Sequence, residues 1–316
     1  MDISSASKVV AVVGATGTQG QSVVKALYRS GRYKIRALTR NVQSASATAL
    51  QAQYPQIELV EVTSDDMDAF RKPFQNVDIV FGVTRNLADY DFSHSSSGNP
   101  EFEHGKAMVD AAIAENVDTF VYSGMDSLEK LSRGKYKGAM NFESKQEISQ
   151  YLLSKYDQIR GFLVYSGYYM ENYLSHARIS EEDKNTVLFR IPLPPTTMVP
   201  LIDTANDMGN VVVHLLDFPE KYQGKAVEVS GGFYEAQEMV KAFTEVTGRP
   251  AKYVQTPFDV TGVEMLTKMF RSISEFGYFG GRDTFIDVLK NEGVKFTTPV
   301  EFWKARNWSG PAKKEN

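Results

Sequence analysis

Three glycines with polar residues between them form the segment of this sequence best suited to chemistry. The run is Gly14-Ala15-Thr16-Gly17-Thr18-Gln19-Gly20, and it lies between an apolar stretch and a helical pattern. Glycine lets a backbone turn tightly and approach a pyrophosphate without an intervening Cβ, and the following helix N-terminus attracts phosphate charge. The spacing is GxxGxxG, which a tight turn without a ligand would also use. Its position at the first strand-to-helix junction favours a dinucleotide site.

The end of the second predicted strand distinguishes between two dinucleotides. Proteins that bind NAD place Asp or Glu about 20 residues after the glycines, where it holds the ribose 2′-hydroxyl. In this chain the strand Lys34–Leu38 is followed by Thr39-Arg40-Asn41, without a carboxylate. The guanidinium of Arg40 would pair with a 2′-phosphate, although a solvated arginine would have the same sequence. The pattern favours NADP(H) over NAD(H).

A lysine on an apolar helix face is the second group with chemical potential. Lys145 lies three residues from both Phe142 and Ile148, so it shares their face of a predicted helix. An inward lysine needs an anion, a hydroxyl or water, because an isolated buried charge is costly. The alternative is a lysine stem that covers apolar surface while its ammonium reaches solvent.

Strands that alternate with helices must position these groups. Alternation of this length predicts βαβ units, and right-handed crossovers make a Rossmann-type doubly wound parallel sheet the expected α/β fold. The predicted strands are Lys8–Val13, Lys34–Leu38, Ile57–Val62, Val77–Val83, Thr119–Ser123 and Ile159–Tyr165, and the predicted helices are Gln21–Arg29, Ala45–Gln53, Asp66–Lys72, Phe102–Glu115 and Asn141–Lys155.

The remainder of the chain is less regular and predicts a smaller α+β C-terminal lobe. We expect a Rossmann domain over residues 1–165 and a lobe over 166–316 that closes the cleft and is intertwined with the first domain. The segment Ser93–Pro100 is the best candidate for a mobile loop. In the lobe, a Pro-rich connector is predicted at Ile191–Pro195, helices at Asp203–Leu216, Ala236–Thr247 and from Val263 onward, and strands at Ala226–Val229 and Lys252–Thr256.

Composition excludes several classes of protein. Of 316 residues, 42% are hydrophobic, 23% are charged and none is cysteine. These values exclude a disordered chain, disulfides, cysteine-ligated metals and thiol nucleophiles. The net charge of −4 gives no general attraction to nucleic acid. The four histidines lack metal-ligand spacing, so no metal is expected. Neither a signal peptide nor a membrane span is expected, which predicts a cytoplasmic protein, with an additional nuclear location left open.

Five segments in order resemble the NmrA-like family of atypical short-chain dehydrogenases. They are VVGATGTQGQSVV, LTRN, YSGM at 122–125, NFESK at 141–145 and YYMEN at 168–172. The likeness covers nearly the whole chain, and it is greatest to the NADPH-sensing animal members of the family. The resemblance implies an NADP(H)-binding Rossmann domain and, for several members, a regulatory rather than an enzymatic role.

The resemblance also implies roles for individual residues. One departure is Glu103, where the sensor proteins have a basic residue. By the resemblance, the pyrophosphate would be held by Gly14, Thr16, Gly17, Thr18 and Gln19, the 2′-phosphate by Arg40 and Asn41, the adenine by Asp66 and the ribose by Thr84, while Lys145, Tyr169, Met170, Glu171 and Asn172 would border the nicotinamide half.

The usual catalytic pair of this superfamily, Tyr-x-x-x-Lys, is missing at the expected place. Four residues before Lys145 stands Asn141. A literal match, Tyr151 to Lys155, lies at the end of the helix and is interpreted as structural. Ser123 occupies the position of the superfamily's catalytic serine and would contact cofactor.

The sequence is consistent with two functions. The first is a redox-sensing regulator, in which NADPH and NADP⁺ favour different conformations of Ser93–Glu103 and Met125–Lys137 and thereby change the affinity for a protein partner. The alternative is an NADPH-dependent reductase of a small, flat carbonyl or conjugated substrate, with Lys145 as the catalytic acid–base residue. The missing tyrosine favours the regulator. Neither function requires direct binding to nucleic acid or a membrane.

Overall fold

The computed structural model describes residues 7–85, 95 and 97–312, which form two compact units. The first unit comprises Met1–Asp126, Met140–Tyr165 and Met208–Val227, and the second comprises Ser127–Ala139, Ser166–Asp207 and Glu228–Asn316. The sequence predicts a single boundary after residue 165. The units differ from that division because residues 127–139 belong to the second unit and 208–227 to the first.

A seven-stranded sheet has the order β11-β6-β5-β4-β1-β2-β3, and its strands β1 to β6 pair in parallel. The chain passes outward from β1 in both directions, which is the doubly wound arrangement. The predicted α/β fold is therefore confirmed. The strands of the protein are β1 (Lys8–Val12), β2 (Tyr33–Thr39), β3 (Glu58–Glu61), β4 (Ile79–Gly82), β5 (Thr119–Gly124), β6 (Arg160–Ser166), β7 (Tyr168–Tyr169), β8 (Ala177–Ile179), β9 (Val187–Ile191), β10 (Met198–Ile202), β11 (Ala226–Val229), β12 (Phe233–Glu235) and β13 (Ala251–Gln255).

Thirteen helices are found in the described part of the chain. Several have explicit N-caps, and these caps set where the helices begin. The helices are α1 (Thr18–Ser30), α2 (Ala45–Gln53), α3 (Met67–Phe74), α4 (Pro100–Ala114), α5 (Leu128–Leu131), α6 (Met140–Leu153), α7 (Asn172–His176), α8 (Thr204–Asp217), α9 (Pro219–Tyr222), α10 (Glu238–Thr247), α11 (Glu264–Phe276), α12 (Ile286–Asn291) and α13 (Pro299–Arg306).

Apolar runs bury the central strands on both faces. Every residue of β4 and β5 is buried, as expected for parallel strands covered by helices. Helix α1 presents Val23, Val24 and Leu27 to this core, and all three are fully buried. Burial of each such side chain contributes about 1.5–3 kcal/mol, so this face fixes α1 on the sheet.

A close helix contact explains why residues 208–227 belong to the first unit. A Cβ at Gly209 of α8 would collide with the carbonyl oxygen of Ser22 in α1. The Gly209 N–H also donates to Ser22 Oγ at 3.0 Å. The two helices therefore pack at a distance that only a glycine permits.

The second unit contains two three-stranded sheets, β12-β10-β7 and β13-β9-β8. The side chain of Trp303 is fully buried, lies 5.3 Å from the Phe243 ring and 6.0 Å from the Phe189 ring, and donates Nε1–H to Met239 O at 2.8 Å. The predicted strands at 226–229 and near 252–256 are confirmed. Strands β9 and β10 were not predicted, because both are short and prolines lie within or beside them.

Two local expectations require correction or cannot be assessed. Helix α4 begins at Pro100 rather than at Phe102, because Asn99 caps it and proline suits its first position. The predicted mobile loop Ser93–Pro100 lies partly outside the described residues, since 86–94 and 96 are not described. Within the described residues, no helix has both the length and the apolar character needed to cross a bilayer.

Candidate functional site

The turn between β1 and α1 requires glycine at two positions. Gly14 adopts a left-handed conformation with φ of +66°, and its carbonyl accepts the Gly17 N–H at 2.9 Å. A Cβ at Gly20 would collide with the Gly14 carbonyl and with the Ala15 Cα. The first glycine therefore makes the turn, and the third lets α1 begin directly against it.

The N-terminus of α1 is left open by this turn. Gly17 is the N-cap residue and makes no side-chain cap, whereas Ser44, Asp66 and Asn99 cap α2, α3 and α4 with side-chain oxygens. Gly17 and Thr18 are both exposed. A helix of 13 residues thus presents first-turn N–H groups and its positive dipole end to the surface. An anion is the ligand that this arrangement fits.

The end of β2 lies against the same turn. The Ala15 N–H donates to Leu38 O at 3.0 Å, and the hydroxyl oxygens of Thr16 and Thr39 are 3.3 Å apart. The next residue, Arg40, is exposed and has no ion-pair or hydrogen-bond partner among the described residues. The structure therefore brings Thr16 and the backbone of Arg40 to one edge of the sheet, with a guanidinium free to take an anion.

Two further predicted residues make local hydrogen bonds. The Oδ1 atom of Asn41 accepts the Gln43 N–H at 2.8 Å and so shapes the turn that follows β2. Asp66 caps α3 by accepting the Ala69 N–H at 2.8 Å, and it also accepts the Ser64 hydroxyl. These hydrogen bonds lower the pKa of Asp66 below its ordinary value. Both side chains have structural tasks, whatever ligand contact they add.

A half-buried lysine meets a buried carboxylate and a buried threonine near the carboxyl ends of β4 and β5. We name these residues, Lys145, Glu101 and Thr84, the lysine cluster. Lys145 Nζ donates to Thr84 Oγ1 at 2.7 Å and to Glu101 Oε1. Thr84 Oγ1 also lies 2.6 Å from Glu101 Oε1, to which it donates. The Glu101 side chain is 1% exposed and that of Lys145 is 19% exposed. An ammonium has three donors, so among the described residues one N–H is left without a partner and can serve a ligand.

The lysine cluster has a neutral imidazole in its electrostatic neighbourhood. His104 is buried and stacks on Phe70. Burial, together with the positive charges of Arg85 and Lys145, lowers the pKa of His104 to about 3. The imidazole is therefore neutral, while Arg85 is paired with Asp65.

Three residues were considered for ordinary short-chain dehydrogenase chemistry, and they lie outside the lysine cluster. Asn141 lies in the first turn of α6. Tyr151 donates its hydroxyl to Asp110 Oδ1 at 2.5 Å and packs edge-on against Phe102, which agrees with its structural interpretation. Ser123 is buried within β5.

The segment 169–172, which is predicted to border the nicotinamide half, belongs to the second unit. Its residues pack and form hydrogen bonds there. Met170 is fully buried, and Tyr169 pairs with Ile202 across β7 and β10. Glu171 accepts the Ala205 N–H at 3.2 Å and pairs with Arg306 at 3.2 Å. Asn172 begins α7 and hydrogen-bonds the Tyr168 side chain. Core packing and hydrogen bonding account for Met170 and Glu171 without a ligand.

Glu101 is the residue of the lysine cluster that sequence reasoning missed. A glutamate in the first turn of a helix is usually explained by the helix dipole. The helical spacing of Glu101 is a stronger indication that it is buried, because it precedes Gly105 by four residues and Met108 by seven, and both of these residues are buried. A carboxylate on the buried face of a helix needs a cation, and Lys145 supplies it.

No group of three His, Asp or Glu side chains that could hold a metal ion occurs within the described part of the chain. The sites that the geometry offers are therefore an anion site at α1 and Arg40, and a buried ammonium at Lys145. Together they fit a ligand that carries phosphates and a polar group with which an ammonium can hydrogen-bond.

Comparisons with known proteins agree over nearly the full length. The model of the NmrA-like family matches residues 6–306. An NmrA-like family domain-containing oxidoreductase from Penicillium ochrochloron is 28% identical, over 90% of this chain and 89% of its own length. A second, from Aspergillus campestris, is 30% identical over 93% of each chain. The crystal structure of NmrA, a negative transcriptional regulator, in complex with NADP superposes with a TM-score of 0.76 at 20% identity, covering 93% of this chain and 94% of that one.

Proposed function

Because the chain belongs to the NmrA-like family, we propose that it binds NADP(H) and acts as an NADPH-dependent oxidoreductase on a small, flat carbonyl or conjugated substrate. The observation that carries this proposal is the lysine cluster, in which a buried carboxylate holds an ammonium that keeps one unused N–H. Relatives of nearly equal length are described as oxidoreductases, which supports the same reading.

The residues at the first turn fit the phosphates of NADP(H). Gly14 and Gly20 allow backbone to come close, and the open N-terminus of α1 suits a pyrophosphate. Arg40, exposed and unpaired among the described residues, suits the 2′-phosphate that distinguishes NADP(H) from NAD(H).

The chemistry proposed for this chain is proton delivery. Bound NADPH supplies a hydride to an electrophilic carbon of the substrate. Lys145 holds a proton at Nζ, and Thr84 and Glu101 fix two of its three N–H directions. Since position 141 is asparagine, no phenol stands one turn before the lysine. Lys145 therefore donates directly or through a water molecule to the oxygen that becomes negative.

A redox-sensing regulator is the second candidate function, and the asparagine at position 141 favours it. The negative transcriptional regulator NmrA has the same fold. In this function NADPH and NADP⁺ would change the affinity for a protein partner, and a net charge of −4 favours a protein over nucleic acid.

Turnover separates the two functions. Purified protein is incubated with NADPH and a panel of enones, quinones and ketones, and oxidation of NADPH is followed by its absorbance. Saturable turnover of any class supports the oxidoreductase. If no compound is reduced while NADPH and NADP⁺ bind with different affinities, the regulator takes its place.

The assignment of Arg40 is tested by calorimetric titration with NADPH and NADH. We expect Arg40→Ala to weaken NADPH binding about tenfold or more, because a charge-assisted hydrogen bond contributes about 1.5–3 kcal/mol. NADH binding should stay unchanged, since NADH lacks the 2′-phosphate. Lys34→Ala, which removes an exposed lysine of the preceding strand β2, is the matched control. Equal losses of NADPH and NADH affinity would refute the assignment.

A further inference from the structure

We propose that Glu101 is a positioning residue that anchors the Lys145 ammonium and aims its remaining N–H, an inference that rests on the oxidoreductase function proposed above. Glu101 approaches Lys145 from α4, whereas Lys145 lies on α6. The two residues are 44 positions apart, and Thr84 is 61 positions from Lys145. Three separate elements thus converge on one ammonium.

Incomplete hydrogen bonding distinguishes Glu101 from Glu228, a second buried carboxylate. The Oε1 atom of Glu101 accepts from Thr84 and Lys145, but its Oε2 is buried and has no hydrogen-bond partner in the described part of the protein. Glu228 is buried to the same degree, and both of its oxygens are used, one by Arg282 and the other by the Phe285 N–H at 3.1 Å. Glu228 therefore serves as a matched comparison for Glu101.

The charges around Lys145 show what Glu101 does there. Arg85 is also cationic, and His104 is neutral with a pKa of about 3. Asp65 is engaged by Arg85 and lies 3.7 Å from His104. Glu101 is therefore the carboxylate bonded directly to the ammonium. Without it, Nζ would keep Thr84 as its one remaining anchor among the described residues.

The test compares Glu101→Gln with Glu228→Gln, which removes an equally buried, ion-paired carboxylate outside the cluster. The readout is the rate at which acetic anhydride modifies Lys145 near pH 8, measured by mass spectrometry of its peptide. An Nζ that has lost its carboxylate anchor is freer to reach the reagent, so we expect this rate to rise about tenfold in Glu101→Gln. It should stay at the wild-type value in Glu228→Gln. NADPH turnover should fall about tenfold or more in Glu101→Gln, with NADPH affinity retained.

The two readouts separate the inference from the function on which it rests. If the wild-type protein reduces no substrate, the oxidoreductase function fails, and the labelling rate alone decides whether Glu101 anchors the Lys145 ammonium. An unchanged labelling rate in a folded Glu101→Gln protein would overturn the inference, with or without turnover. If that variant does not fold, Glu101→Asp withdraws the carboxylate from Nζ while keeping its charge, and the same rise in labelling is required.

Discussion

Two clusters of buried charge, one in each unit, use their hydrogen-bonding groups differently. In the lysine cluster, Lys145 keeps one N–H unused and Glu101 keeps one oxygen unpartnered among the described residues. The other cluster contains three carboxylates and one guanidinium, and we name it the acidic cluster. Its members are Glu171, Asp203, Asp207 and Arg306.

The acidic cluster directs its oxygens mainly to backbone. Asp207 accepts the Thr297 N–H at 3.0 Å and the Asp203 N–H at 3.1 Å. Glu171 accepts the Thr204 and Ala205 N–H groups at the start of α8. These bonds connect segments far apart in the chain, and they leave neither carboxylate available to a ligand. Asp203 Oδ1 of this cluster is also buried without a hydrogen-bond partner among the described residues, and it lies 3.6 Å from Arg306. The acidic cluster therefore links segments of the fold, whereas the lysine cluster is our proposed site of chemistry.

Burying a charged side chain costs free energy, and the two clusters reduce this cost in different ways. Burial, with a smaller contribution from the Asp203 charge, raises the pKa of Asp207 to about 7. Burial likewise raises the pKa of Glu171. The acidic cluster therefore relieves its excess of negative charge by binding protons. The lysine cluster instead balances its carboxylate with an ammonium.

The largest expected effect comes from removing the cation of the lysine cluster. Lys145→Met leaves Glu101 charged and buried, so we expect the free energy of unfolding to fall by about 3 kcal/mol. Adding Glu101→Gln removes the unpaired charge and should recover at least half of the loss. Denaturant unfolding of the two single variants and the double variant measures this coupling. Strictly additive losses would contradict the ion pair.

A smaller decrease in the free energy of unfolding is expected when the cation of the acidic cluster is removed. Arg306 pairs with Glu171 and Asp203 and lies 3.9 Å from the centre of the Phe302 ring. Arg306→Met should lower the free energy of unfolding by about 2 kcal/mol, because Glu171 keeps the hydrogen bonds that it accepts from Thr204 and Ala205. Lys304→Met, an exposed change in the same helix, is the control. A loss larger than that of Lys145→Met would reverse the comparison.

The smallest expected effect is a change in pH dependence. Because the native pKa of Asp207 is about 7 and its ordinary value is 3.8, the native state keeps a proton that the unfolded state releases. Its stabilising contribution is complete below about pH 4 and is lost as the pH rises through about 7. We expect the melting temperature to fall between pH 5 and pH 8, and Asp207→Asn to reduce that fall by about 3 °C. Calorimetry at the two pH values, beside Asp217→Asn as an exposed control, measures the difference.

The parts of the site that are local in sequence were predictable. The Gly14–Gly20 turn, the residues after β2 and the strands β1 to β6 follow from patterns within short windows. The β-branched runs and the glycine spacing act through neighbouring backbone, so no distant contact is needed to recognise them. For Asp66 and Glu171, the fold adds hydrogen bonds that the sequence did not predict, and their proposed ligand contacts stay predictions.

The sequence by itself determined a parallel α/β sheet, a glycine-rich turn before its first helix and an arginine directly after its second strand, because each depends on residues adjacent in the chain. Tertiary structure decided which charges are buried together. Glu101, Thr84 and Lys145 meet only when α4, the end of β4 and α6 pack at one edge of the sheet. The cost of burying a charge depends on what surrounds it, and those surroundings are assembled from distant parts of the chain.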